Sequence, residues 1–301
     1  MDLLVFDLSD INNIKQIARL EDVLQTIMLA PAIDNVYVDY ENFDGNGVII
    51  GWNITQETRR IGEGIQENIG IFFNDIAVAT SSESTTGQGG SLARFKIVND
   101  YLYAVDSHNI NIFHINNLES PKVLDAIYAG FDIETIFNRG NHLFLGSMRG
   151  MYIYNIDSPA TPIFVSEFLH GTACDPVVVD ENYAYITLRA GNNCGALDSS
   201  LEIVDITNIG TPVLVKSYEM DNPYGLGIKD DLLFICDGTA GLKVYNKLNV
   251  EEITLLNHFK NINTYDVIPL DKNLLMIGDN ILYQYSYADN NITLLSEFSL
   301  N

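Results

Sequence analysis

Four residues occupy one repeated place in this 301-residue chain. When the apolar runs containing Leu143, Ala184, Leu233 and Leu275 are set equivalent, the residue nine positions earlier is Glu134, Asp175, Tyr224 and Asp266. Three carboxylates gathered at one spot would raise the pKa of some of them or recruit a cation, calcium being the one inorganic candidate. Asp237, in the loop CDGTAG, joins them as a ligand or cation candidate. The plainer reading is solvated charge, because the chain carries 40 acidic against 16 basic residues. A weaker arrangement is catalytic: two carboxyls with separated pKa values, Glu134 and Asp175, with His170, would suit a hydrolase or lyase.

Cysteine chemistry is the other option. Cys174 lies four residues from His170, and a thiolate nucleophile needs such a neighbour, but no oxyanion motif accompanies the pair. Cys174 and Cys194 are also candidates for a structural disulfide, with Cys236 left over; three cysteines are too few for a disulfide scaffold and lack zinc-ligand spacing. The acidic, glycine-containing stretch VDYENFDGNG, residues 38–47, resembles a calcium loop but misses the alternating ligand spacing of an EF-hand, so an ordinary acidic turn fits better. His108, His114, His142 and His258 are scattered, and no nucleophile elbow, P-loop or dinucleotide fingerprint occurs. No cofactor is therefore expected beyond the calcium possibility.

The elements that must position these residues are strands. The stretch LEIVDITNIGTPVLVKSYEM, from Leu201, reads as strand, polar turn, strand. The same pattern recurs from Leu3, Ile49, Ile110, Met151, Leu242 and Leu282. With the fourth residue of each strand as anchor (Phe6, Trp52, Phe113, Tyr154, Val204, Tyr245, Tyr285), successive anchors are 46, 61, 41, 50, 41 and 40 residues apart. A period near 41 built only of strand-like segments is that of a β-propeller with four antiparallel strands per blade. Two further apolar runs precede each anchor strand, as in DPVVVDENYAYITL, and supply the inner pair, so one blade runs from about Asp175 through Tyr218.

This predicts an all-β single domain over residues 1–301, with about seven blade-like repeats. The first blade lacks its inner strands, and insertions fall at about 38–47 and 80–91. An Asp ending a strand, as at Asp7 and Asp205, should accept local backbone N–H groups and fix the reversal. Pro121, Pro162 and Pro212 each lie eight residues beyond an anchor, where an outer strand tolerates a missing donor. Connections into the innermost strands and from second to third strands reach one face. That face should gather HGTACDP, RAGNNCG, CDGTAG, GSMRG and DSHN around the channel.

The strands LEIVD, LLVFD, INIFH and MYIYN resemble the LVIVD repeat, a propeller motif of bacterial exported proteins. The match is clearest at Leu201–Asp205 and Leu3–Asp7; His114, Asn155, Asn246 and Ser286 replace the final Asp elsewhere. The resemblance implies a propeller at the cell surface or in the periplasm, often as a lipoprotein anchored through an upstream segment, and no known reaction. The chain itself opens without a signal-peptide pattern and has no apolar run long enough to span a bilayer.

A formal net charge of −24 disfavours nucleic acid and anionic membrane surfaces as partners. The expected function is non-enzymatic binding of an extracellular or periplasmic protein, glycan or small ligand through the loop face around the channel. Alternatives are the hydrolase or lyase above, and a structural module that assembles through an exposed apolar edge.

Overall fold

The computed structural model describes residues 1–24, 90–170, 176–190, 198–288 and 291–300. All belong to the compact unit formed by Met1–Leu24 and Ala77–Asn301. Among the described residues there is no helix, and every sheet pairing is antiparallel.

An isolated hairpin comes first, β1 (Leu3–Asp7) with β2 (Lys15–Leu20). The first blade consists of β3 (Phe95–Val98), β4 (Tyr101–Val105) and β5 (Asn109–His114), with an outer strand broken into β6 (Lys122–Val123) and β7 (Ile127–Tyr128). The second holds β8 (Ile133–Arg139), β9 (His142–Ser147), β10 (Gly150–Asn155) and β11 (Ile163–Leu169). The third holds β12 (Val177–Val179), β13 (Tyr183–Leu188), β14 (Ser200–Asp205) and β15 (Val213–Glu219). The fourth holds β16 (Leu226–Lys229), β17 (Leu232–Cys236), β18 (Leu242–Asn246) and β19 (Thr254–Phe259). The fifth holds β20 (Asp266–Pro269), β21 (Asn273–Gly278), β22 (Ile281–Ala288) and β23 (Asn291–Ser299).

The fold is thus an all-β ring of four-stranded blades, whose inner strands β3, β8, β12, β16 and β20 neighbour one another in that order. Among the described residues it contains five four-stranded blades, where the repeat predicts about seven. The repeat at Phe6 forms only the β1–β2 hairpin, an outer pair in a two-stranded sheet, and the repeat at Trp52 lies outside the described residues, as does the expected insertion at 38–47 and all but the end of that at 80–91.

The anchors mark a local device. In the outer hairpins of blades 2 to 5 the register shifts immediately before the anchor: at Ile153/Tyr154, Ile203/Val204, Val244/Tyr245 and Gln284/Tyr285. The same shift occurs at Val5/Phe6 in β1–β2, so that hairpin is a blade's outer pair in its details as well as its sequence. Such a bulge adds a residue to the outer strand and increases the local twist.

The turn that follows is fixed by side-chain acceptors. Asp7 accepts the Ser9 N–H at 2.9 Å, and Asp205 accepts the N–H and hydroxyl of Thr207 at 2.8 and 2.7 Å. Backbone and side-chain donors from Ser9 and Thr207 hold Asp7 and Asp205 below the usual carboxylate range. Where Asn replaces Asp the bond persists: Asn155 accepts the Asp157 N–H at 2.8 Å and Asn246 that of Leu248 at 3.0 Å. The role is acceptance of a backbone donor, which an amide carbonyl performs as well as a carboxylate.

The core lies between blades. Separate apolar clusters join blades 1 and 2, 2 and 3, 3 and 4, and 4 and 5. Each of the first four blades sends one buried aromatic from its second strand toward the next blade: Tyr103, Phe144, Tyr185 and Phe234. Strand alternation supplies this, because neighbouring side chains in one strand point to opposite faces and both faces are covered.

Phe234→Ala should therefore cost about 3–5 kcal/mol in chemical denaturation. Phe164→Ala, on an outer strand where the ring is 51% exposed, should cost under about 1 kcal/mol, and equal losses would contradict the inter-blade core.

Candidate functional site

Strand pairing decides which residues share the channel mouth. Leu143 faces Tyr154, Ala184 faces Val204 and Leu233 faces Tyr245, but in blade 5 it is Leu274, not Leu275, that faces the anchor Tyr285. Nine residues before Leu274 stands Tyr265. Tyr265 is therefore the counterpart of Tyr224, and Asp266 moves one place on, to the position held by Gly225 in blade 4. Glu134 sits in the register shift between Ile133 and Thr135 of β8. Asp175, Cys174 and Cys194 lie outside the described residues.

Asp266 is enclosed by chain. Its Oδ1 accepts the Ser91 hydroxyl at 3.1 Å and the Val267 N–H at 2.9 Å, and its Oδ2 faces the Leu92 N–H at 3.4 Å. The same Ser91 Oγ accepts the Leu226 N–H at 2.7 Å. Two glycines leave room for the carboxyl: a Cβ on Gly90 would lie 1.9 Å from Oδ2, and one on Gly225 2.2 Å from Oδ1. Burial pushes the Asp266 carboxyl up to about 7 against the lowering pull of these donors.

Asp237 is also consumed by structure. At the end of β17 it is fully buried, accepts the Asn222 N–H at 2.6 Å and the Asp221 N–H at 3.3 Å, and receives Lys243 Nζ at 2.5 Å. Lys243 also reaches Asp221 at 2.6 Å. Burial opposes the lysine's charge, but its bonds to Asp221 and Asp237 prevail and hold its pKa above the ordinary value. The three side chains pin the connection entering blade 4. Among the described residues, no group of three or more His, Cys, Asp or Glu side chains is placed to hold a metal ion.

What faces outward is aromatic. The Arg189 guanidinium carbon lies 3.9 Å from the centre of the Tyr224 ring, which meets Tyr265 edge-on at 5.0 Å between centroids. Tyr224 is positioned from behind, its carbonyl accepting the Thr187 hydroxyl at 2.5 Å and its N–H donating to the Cys236 carbonyl at 2.7 Å. Asn263 Nδ2 donates to the Tyr265 hydroxyl at 3.3 Å and to Asp279 at 2.7 Å. The row Arg189, Tyr224, Tyr265, Asn263 thus crosses three blades with half-buried side chains. Repeat spacing singles out Tyr224, and the topology puts Arg189 on the same face as the first residue of RAGNNCG, whereas Tyr265 is hidden by the one-residue offset in blade 5.

His170, at the end of β11, donates its N–H to the Arg149 carbonyl at 3.2 Å and packs against Phe168. Near it is Glu202, whose half-buried carboxyl is pushed up by desolvation while His170 pulls it down. Cys236 is a free, buried thiol whose pKa burial raises well above the ordinary value, so it is not poised as a nucleophile.

No known protein family matches the sequence, and no curated protein does. Solved structures do share the fold. A functionally unknown protein from Desulfotomaculum acetoxidans DSM 771 is similar over 76% of this chain and 72% of its own, at 12% identity and a TM-score of 0.55. A protein from Lactobacillus plantarum is similar over 66% of this chain and 68% of its own, at 12% identity and a TM-score of 0.51. These likenesses establish architecture alone.

The raised pKa of Asp266 has a definite sign. The fold binds that proton more tightly than the unfolded chain, so the stabilisation is complete below the ordinary value of 3.8 and is lost as pH rises through about 7. Its upper bound is roughly 4 kcal/mol. Between pH 4 and pH 8 the melting temperature of Asp266→Asn should fall less than that of the parent chain; parallel curves would remove the carboxyl from that role. Lys243→Met should cost about 3–5 kcal/mol, because it strands Asp237 as a buried charge, whereas loss of the exposed Asp221 carboxylate should cost under about 1 kcal/mol.

Proposed function

We propose that the protein is an exported, non-enzymatic propeller that binds its ligand through the loop face at the channel mouth. One observation carries the reading. On that face the carboxylates Asp237 and Asp266 are taken up by internal bonds, whereas the aromatic and guanidinium groups of Arg189, Tyr224 and Tyr265 remain half-exposed and fixed in place. Fixed groups of this kind lose little side-chain entropy on binding, and aromatic rings and Arg are the side chains that most often dominate recognition. Export rests on the resemblance of LEIVD and LLVFD to the LVIVD repeat, with an extracellular or periplasmic protein, glycan or small molecule as ligand.

The hydrolase or lyase alternative has supporting features in the raised pKa of Glu202, near His170, and in that of Asp266. Geometry weighs against it, because Gly90, Ser91 and Gly225 fill the space around that carboxyl and a general base must touch the proton it takes.

The two readings separate in one experiment. Backbone amide shifts of the ¹⁵N-labelled protein are followed against a mixed library of peptides, oligosaccharides and small organic acids, with turnover of ester and glycoside substrates assayed in parallel. Shifts should gather around Arg189, Tyr224 and Tyr265 and weaken at least about tenfold in Arg189→Ala. Shifts confined to the outer strands, or turnover abolished by Asp266→Asn, would defeat the binding-module reading.

A further inference from the structure

A second group of exposed rings lies on the same face, between blades 1 and 2. Tyr128 and Phe131 are 57% and 52% exposed. Their rings meet edge to face, 5.9 Å apart at 83°, and the His108 ring meets Phe131 at 5.5 Å and 79°. The Arg149 guanidinium carbon lies 5.7 Å from the Phe131 ring centre. Single exposed aromatics are ordinary on protein surfaces, but three rings and a guanidinium gathered from three separate connections form a patch.

The patch is held rigidly by backbone. Ala129 and Gly130 both donate their N–H groups to the His108 carbonyl, at 2.7 and 3.3 Å, and Ile133 donates to Ser107 at 3.0 Å. On the other side the Met148 N–H donates to the Asp132 carbonyl at 3.2 Å. Phe131 stands exposed between two residues with positive φ, Gly130 at +142° and Asp132 at +56°. The Asp132 conformation is disfavoured for a residue with a side chain and persists because these bonds over-determine it. The His108 turn is clamped in turn by Asp106, which accepts the N–H groups of His108 and Asn109, each at 2.7 Å. Phe131 is not among the residues of the apolar cluster that joins blades 1 and 2.

We propose that Tyr128, Phe131, His108 and Arg149 form a subsite for an uncharged sugar ring. The proposal rests on the reading of the loop face as a binding face and names the ligand class at one part of it. Two rings at nearly right angles make a corner with apolar walls, which suits the C–H face of a pyranose. Around that corner stand donors and acceptors for hydroxyl groups: the Arg149 guanidinium, the His108 ring, the Tyr128 hydroxyl and the exposed Asp132 carboxylate. Charge selects against the alternatives. A chain with a formal net charge of −24 repels anionic ligands at long range, and the Arg149 guanidinium beside Phe131 repels an organic cation at short range. An uncharged, amphipathic ligand meets neither obstacle.

The test titrates the full chain with cellohexaose, maltohexaose, mannohexaose, xylohexaose and chitohexaose, with a polyuronate as the anionic control, by calorimetry and amide shifts. The parent protein, the double variant Tyr128→Ala/Phe131→Ala and the channel-mouth variant Arg189→Ala are compared, with melting temperatures confirming that all three fold. At least one neutral sugar should bind the parent protein and lose at least about tenfold in affinity in the double variant only. Binding unaffected by the double variant but lost in Arg189→Ala would overturn the subsite while leaving the loop-face reading intact. Binding of none of the neutral sugars, or of the polyuronate in preference, would overturn the proposal outright, and the loop-face reading would then depend on its own shift map.

Discussion

The Ser91 hydroxyl ties the segment leading into blade 1 to blades 4 and 5 at once. Ser91 stands just before the first inner strand, yet its Oγ accepts the Leu226 N–H of blade 4 and donates to Asp266 of blade 5. Ala93, two residues on, accepts the Ile136 N–H of blade 2 through its carbonyl. One short segment thus satisfies donors from blades far apart in sequence, at the place where inner strands converge and water is scarce. An unmet backbone donor there would carry the cost of desolvation with no return. The two glycines, Gly90 and Gly225, follow from this constraint, since any Cβ at either position would occupy the space of the Asp266 carboxyl.

That constraint also explains what could and could not be read from sequence. The blades were legible because they share local parts that act within a few residues: an apolar anchor in every one, an acceptor-capped turn in blades 2 to 4 and a proline-led outer strand in blades 1 to 3. The Asp and Asn acceptors at Asp7, Asn155, Asp205 and Asn246 fall into this class. The register of blade 5 was not legible. Leu274, Leu275 and Met276 are all apolar, so either leucine fits the position opposite the anchor, and only pairing with Tyr285 chooses. A one-residue slip reverses every side chain of a strand. It therefore made Asp266 look like a member of a channel-mouth ring, where the fold places Tyr265, and the surroundings of Asp266 depend on a serine 175 residues away.

The acidity of the chain is likewise distributed by structure in a way that composition does not reveal. Asp106, Asp180 and Asp237 are tied to backbone donors, and the last two also to lysines, Lys247 and Lys243. Asp180 also accepts the Tyr185 hydroxyl, and its lysine comes from the next blade. Two of the few cations of an acidic chain are thereby drawn to structural carboxylates, whereas Arg149 and Arg189 each lie over an aromatic ring on the loop face.

Position and the proposed binding surface are consequently carried by different parts of the blades. The strands commit their apolar faces to the neighbouring blade and their ends to acceptor-capped turns, so a change there alters stability before it alters any surface. The connections into the inner strands carry Phe131, Tyr224 and Tyr265; the N–H groups of the two tyrosines are fixed on the Cys236 and Ile277 carbonyls, and Tyr224 also packs against the apolar cluster between blades 4 and 5. Such connections are where a propeller varies its surface at little cost to its strands. Rigid, half-exposed rings bordered by guanidinium groups thus stand on the loop face, while Asp237 and Asp266 are withdrawn into structural bonds.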